Sequence, residues 1–416
     1  MFVRRLSSLH LHQSPLSRRS IASVAWNDQG ITLERKDTRT TRLLPHTWLR
    51  DHCLCPRCIH PGTRQKLHGS GDIPGEIQPS SVNLTDQGLK VRWAKNSTTE
   101  KEHVSTYPRE WLKDQLDPSE APKKAFRPTP WKATDLDPSS LQIPYKDFMH
   151  SDSALRIALS LLTERGVCFL DGIPGEERAI EGIAERIGPI RDTFYGKTWD
   201  VRADPKAANI AYTSLDLGLH MDLMYFEAPP GVQILHCLEQ DVYGGESLFA
   251  DSHYAVGLLK KDDPEAYQAL VEMPVPFGYR NDGHDLSFTR PTLVEDGPAG
   301  LEVFYSPPFQ HVLPLPSSPV ASRQLDAFYR GMRRFKGYIE DPNAHIRIPL
   351  VPGQCALFDN RRALHGRTAF SSQAPGKPDR TGHRWLKGTY VDRDALWDRL
   401  AVLLADHAAN DRGKGL

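Results

Sequence analysis

No apolar run in this sequence reaches the roughly 18 residues that a bilayer-spanning helix needs, so none is expected. Neither sign of charge is in excess. The 52 Lys and Arg balance the 52 Asp and Glu for a formal net charge of +0, and no overall field draws the chain toward nucleic acid or an anionic membrane. Cysteine is scarce, at 6 residues in 416. Cys53, Cys55 and Cys58 crowd together, whereas Cys168, Cys237 and Cys355 are scattered. A disulfide framework would space them more evenly, so the cluster suggests a metal and the others suggest reduced core thiols. Acidic residues are missing altogether ahead of Asp28.

That acid-free start is also basic and Ser-rich, with Arg4, Arg5, Arg18 and Arg19. This is the composition of a mitochondrial transit peptide, and residues 1–25 are read as one, the alternative being a basic tail with no targeting role. Residues 26–117 read as a small domain. ITLERKD and LKVRWAK alternate as strands, and Pro108 opens a short helix in PREWLKDQL. Residues 118–147 carry Pro118, Pro122, Pro128, Pro130, Pro138 and Pro144, which excludes a long helix or a central strand and reads as a linker or a draped extended segment.

Residues 148–416 read as a second domain. SDSALRIALSLLTERG and ERAIEGIAERIG show the helical period, each closed by a glycine. Strand-like runs follow in GVQILHCL, ESLFAD, LSFTR, LEVFYS, IRIPLV, CALFDN and RWLKGTYVD. A longer helix covers VASRQLDAFYRGMRRFKGY, and another closes the chain. Many short strands without strict βα alternation predict a mainly β fold with added helices, an antiparallel barrel or jelly roll.

His220 and Asp222 stand two apart in GLHMDLMY, a spacing that puts both on one face of an extended segment. His365 in FDNRRALHGRTAF follows a predicted strand and supplies a third corner. Two His and one carboxylate form the facial triad of non-haem Fe(II) oxygenases, which leaves positions open for a chelating cosubstrate and O₂. A lone H-x-D is a common chance pattern; the second His in its strand context raises it above chance. 2-Oxoglutarate would need a partner for its distal carboxylate, and a planar guanidinium suits it. Arg384, on a predicted strand, is favoured over Arg380 in the polar loop SSQAPGKPDRTG, because a strand fixes a side chain more firmly. Ser247 in GGESLFAD is a further candidate for the same carboxylate.

With these residues in view, the chain resembles the Fe(II)/2-oxoglutarate dioxygenases related to taurine dioxygenase, and within them the γ-butyrobetaine and trimethyllysine dioxygenases. WLRDHCLCPRC, FYGKTWDV, NIAYTSLDLGLHMD, PPGVQILHCL, YGGESLFAD and FDNRRALHGR carry the resemblance, which runs from about Ile31 to the C-terminus. It implies a double-stranded β-helix catalytic domain preceded by a small β-rich zinc domain, often as a homodimer. It further implies Fe(II), 2-oxoglutarate and O₂, with ascorbate as reductant, acting on a small molecule in carnitine biosynthesis. A catalytically inactive scaffold of the same fold is the contrasting class, against which the complete triad argues.

The resemblance also assigns residues. Zinc in a closed structural site takes four ligands; His103 matches the family's fourth, with His52, His60 and His68 as nearer decoys. Tyr195, Trp199, Tyr212 and Tyr390 fall on the positions of an aromatic cage for a trimethylammonium group, where cation–π attraction contributes about 0.5–2 kcal/mol per ring. Asn209 matches a residue that contacts polar groups of substrate or cosubstrate. The sequence departs from the γ-butyrobetaine enzymes at Leu223, where they carry Tyr after the iron-binding Asp. The stretch between His365 and Arg384 is also longer. The resemblance still implies hydroxylation of a small trimethylammonium compound, γ-butyrobetaine to carnitine first; trimethyllysine or another small molecule are the alternative substrates, and the leader leans toward the mitochondrial trimethyllysine enzyme.

Overall fold

In the computed structural model the described residues are 21–36, 38–94, 102–116, 128–202, 213–297 and 300–413. The chain divides into two compact units, Met1–Lys123 and Lys124–Leu416. The first holds two three-stranded antiparallel sheets, Ile21–Asn27 with Gly30–Arg35 and Thr41–Pro45, and Pro79–Thr85 with Gly88–Trp93 and His103–Pro108. Ile31, Leu33, Leu49, Leu89, Val91, Tyr107 and Leu112 form its core. Residues 21–25, read above as the end of a leader, instead build the first strand, with Ile21 buried. Pairing from Ile21↔Arg35 to Asn27↔Gly30 closes a hairpin that the basic composition upstream concealed.

In the second unit, strand order explains where the chemistry gathers. The larger sheet runs Gln142–Pro144, Val167–Asp171, Gln354–Asp359, Val232–Gln240, Arg384–Val391, Thr198–Arg202. The smaller runs Leu217–His220, Ala363–Arg367, Ser247–Asp251, His345–Ile348. All neighbours are antiparallel except the edge pair at Gln142–Pro144. From Thr198 onward the chain passes between the two sheets, except that Ser247–Asp251 and His345–Ile348, separated by an insertion, pair within the smaller one, and this is a jelly-roll path. Alternation then sorts the side chains. Leu235, Phe249, Ala356, Phe358 and Leu386 meet between the sheets. Ile234, Cys355 and Leu357 face outward under the helices Asp152–Glu164, Ala179–Ile187 and Arg393–Gly413. The scattered thiols Cys168, Cys237 and Cys355 are all free and buried in this core.

The smaller sheet buries Leu219, Ala250 and Leu364 under the helices Ser252–Asp262, Pro264–Glu272 and Pro319–Glu340. The Pro-rich stretch is a linker in composition only, as far as it is described. Residues 128–147 belong to the second unit, and Trp131 is fully buried there. Its backbone N–H donates to Asp251 Oδ2 at 3.0 Å and its indole to the Arg165 carbonyl at 2.6 Å. Pro144 is tolerated because its strand lies at a sheet edge.

Candidate functional site

His220 ends the strand Leu217–His220 and stands directly opposite His365 in the neighbouring strand. Their rings lie 4.3 Å apart between centroids. Asp222 joins them, but not by strand alternation, because the strand stops at His220 and the chain turns. The Met221 N–H donates to the Tyr305 carbonyl at 2.8 Å. Asn360, at the corner between the strands Gln354–Asp359 and Ala363–Arg367, grips the Asp222 backbone. Leu223 then takes a left-handed conformation, φ 61°, which costs a branched side chain energy and suits a tightly determined site.

Asp222 Oδ1 lies 3.2 Å from His220 Nε2 and 3.8 Å from His365 Nε2. Adjacent ligands on one octahedral cation at bonds of about 2.1 Å stand about 3 Å apart, so the set fits a metal closely. His220 Nδ1 lies 2.9 Å from the Gly218 carbonyl; donating there leaves Nε2 as the lone-pair nitrogen. Burial, with His220 beside it, pushes His365 down to about 3, so its ring is neutral near pH 7. Burial works against the Asp222 carboxylate, yet His365, His220 and Tyr390 outweigh it and hold it below the usual range. The site thus offers two imidazole nitrogens and one carboxylate oxygen, the donor set of the facial triad.

A pocket opens beside the triad, lined among others by Tyr195, Trp199, Tyr225, Phe309, Ser247 and Arg384. Trp199 lies over Tyr390, ring centroids 4.1 Å apart. Gly388 makes that stack fit, since a Cβ there would come within 2.4 Å of the indole. Tyr225 and Phe309 were not singled out from sequence; Tyr225 sits in LMYFEAPP, directly after the turn at Asp222. Gln233 was missed too. It lines the same pocket, buried, and its Oε1 has no hydrogen-bond partner among the described residues.

Arg384 is buried in the pocket wall, donates to the Gly245 carbonyl at 3.3 Å, and has no carboxylate beside it among the described residues. Burial and then Arg367 lower it to about 10, so it keeps its charge at neutral pH. Ser247 lies nearby, paired in register with Arg367. Arg380 does not line the pocket; it donates to the Val242 carbonyl and stacks over Tyr243. Asn209 and Tyr212 lie outside the described residues.

In the first unit, Cys53, Cys55, Cys58 and His103 converge. His103 Nε2 lies 3.3, 3.7 and 3.6 Å from the sulfurs of Cys53, Cys55 and Cys58. A tetrahedral Zn²⁺ with ordinary bond lengths would set these edges at about 3.6 Å. The decoys are engaged elsewhere. His52 stacks on Trp48, His60 accepts from the Gly62 and Thr63 N–H groups, and His68 faces Asp51 at 3.3 Å.

Comparison with known proteins gives this geometry relatives. The family model for taurine catabolism dioxygenases, TauD and TfdA, matches residues 126–390. That for the N-terminal part of gamma-butyrobetaine hydroxylase-like proteins matches residues 23–113. The chain is 38% identical over 406 residues to dioxygenase str8 of Strobilurus tenacellus, covering 94% of this chain and 91% of that one. It is 32% identical over 394 residues to gamma-butyrobetaine dioxygenase of Pseudomonas sp. strain AK-1, covering 92% and 96%. Trimethyllysine dioxygenase of Meyerozyma guilliermondii is 27% identical over 402 residues, covering 92% and 96%.

Proposed function

Because the chain belongs to the taurine catabolism dioxygenase family and is an Fe(II)- and 2-oxoglutarate-dependent dioxygenase, we propose that it hydroxylates a small trimethylammonium compound, with γ-butyrobetaine the first candidate. The observation that carries this reading is the pocket wall. Tyr195, Trp199, Tyr225 and Phe309 line the pocket beside the triad, and Asp222 is the one carboxylate residue among the described residues lining it. A quaternary ammonium has no N–H to donate, so aromatic faces hold it better than a carboxylate committed to a metal.

In this reading His220 Nε2, Asp222 Oδ1 and His365 Nε2 hold Fe(II). When bound, iron with 2-oxoglutarate supplies the oxidation of an unactivated C–H bond. Arg384 clamps the distal carboxylate of 2-oxoglutarate with Ser247 at its side, the carboxylate supplying the anion that this buried guanidinium lacks among the described residues. The apolar walls exclude water and set the substrate carbon toward the triad. Cys53, Cys55, Cys58 and His103 hold a structural zinc, whose four ligands leave no position for chemistry.

A second reading, another small molecule on the same chemistry, is favoured by Leu223 at the pocket and by the similarity to dioxygenase str8. Incubating the protein with Fe(II), 2-oxoglutarate and ascorbate, with γ-butyrobetaine or trimethyllysine in parallel, separates the readings. A product heavier by one oxygen from γ-butyrobetaine supports the first. Product from trimethyllysine alone, or from neither, removes it.

A further inference from the structure

The resemblance places Tyr390 in the substrate cage, yet its hydroxyl is aimed elsewhere. Tyr390 Oη donates to Asp222 Oδ2 at 2.8 Å, and the residue is buried. Trp199 covers a face of its ring at an interplanar angle of 30°, so that face is closed to a cation. The two oxygens of Asp222 thereby take separate tasks. Oδ1 looks toward His220 and His365, while Oδ2 is held back by the phenol.

We infer that Tyr390 is a positioning residue for the metal, fixing the Asp222 carboxylate so that one oxygen alone is offered to the ion. Asn360 secures the backbone of Asp222 but leaves its terminal torsion untouched. That torsion is broad and two-fold in an Asp. A charge-assisted O–H···O⁻ bond to one oxygen removes the freedom. Without it the carboxylate is free to rotate, and that freedom is lost when a metal binds, which lowers the affinity. The Trp199 stack completes the arrangement by holding the phenol ring in place. This assignment rests on the iron reading and not on the identity of the amine.

The test compares Tyr390→Phe with Tyr390→Leu by anaerobic titration of metal-free protein with Mn(II), read by calorimetry. Tyr390→Phe keeps the ring and its stack but loses the hydroxyl; Tyr390→Leu loses both. Outer partners of metal ligands are typically worth 10–100-fold in affinity, so both variants should bind Mn(II) at least about tenfold more weakly than the wild type, and to a similar extent. Thermal unfolding of the metal-free Tyr390→Phe protein should stay near the wild type. Wild-type affinity in Tyr390→Phe, with loss confined to Tyr390→Leu, would show that the ring rather than the hydroxyl matters and would overturn the assignment. Wild-type affinity in both would overturn it as well. Neither outcome depends on the protein turning over any amine.

Discussion

Asn360 holds Asp222 from both sides of its peptide. The side-chain oxygen accepts the Asp222 N–H at 2.8 Å, and the side-chain amide donates to the Asp222 carbonyl at 2.9 Å. One carboxamide thus replaces the ladder bonds that Asp222 loses when its strand ends. Asn360→Ala should leave both groups buried and unpaired, at a cost of about 1–3 kcal/mol per group. Urea unfolding should show that loss, and Mn(II) titration should show weaker binding. Full metal affinity in the variant would contradict the role given to Asn360.

Arg362 and Asp251 form an ion pair at 3.0 Å in the buried second unit. Arg362 also donates to the Thr129 carbonyl at 2.9 Å and the Glu164 carbonyl at 2.8 Å, tying the Pro-rich segment to the jelly roll. Removing one partner of a buried pair typically costs about 3–5 kcal/mol, because the other charge stays uncompensated. Arg362→Ala should fall in that range by denaturant unfolding. A loss below about 1 kcal/mol in Arg362→Ala would refute the account.

His236 is fully buried and both ring nitrogens lack a partner among the described residues. Burial lowers it to about 4. The folded state therefore keeps this ring neutral, while the unfolded chain takes up a proton below about pH 6.5. Its contribution is intact above that pH and is lost as pH falls from about 6.5 to 4, at up to about 1.4 kcal/mol per pH unit for one proton. His253, lowered to about 4 first by burial, acts in the same direction. His236→Leu should flatten part of this acid limb in a series of thermal unfolding curves. An unchanged limb would show that His236 titrates equally in both states.

What could be read from sequence was chemistry carried by short motifs on strands. His365, Arg384 and the three clustered cysteines needed no tertiary knowledge to be suspected. Asp222 was found for an incomplete reason, because nothing local announces that the strand stops at His220 and that Asn360 takes over. The Tyr390–Asp222 bond joins residues far apart in the chain, so Tyr390 was read by its ring alone. Gln233 lies hidden between apolar neighbours, Val232 and Ile234, in its strand. The helices Ser252–Asp262 and Pro264–Glu272 were missed although their starts carry signals. Asp251 and Asp263 cap them through the His253 and Ala266 N–H groups, and Pro264 opens the second.

The four convergent ligands in the first unit predict one tightly held zinc per chain. Burial raises the Cys53 thiol to about 12 without a metal, so a cation is needed to keep it as thiolate. Elemental analysis should find zinc near one equivalent in protein purified without added metal. Cys53→Ser should lower that content and loosen the unit, read by the fluorescence of Trp93, which is buried in its core and donates to Ser105 Oγ at 2.8 Å. A zinc-free protein with an unchanged spectrum would remove this site.

The central claim meets its most direct test in the release of CO₂ from 2-oxoglutarate labelled at C1, with Fe(II) and ascorbate present. γ-Butyrobetaine should stimulate release several-fold in the wild type, and His220→Ala should show none above background while keeping the wild-type circular dichroism spectrum. Trp199→Ala should raise the KM for γ-butyrobetaine far more than the KM for 2-oxoglutarate. Release that no amine stimulates, or that survives in His220→Ala, would contradict the account.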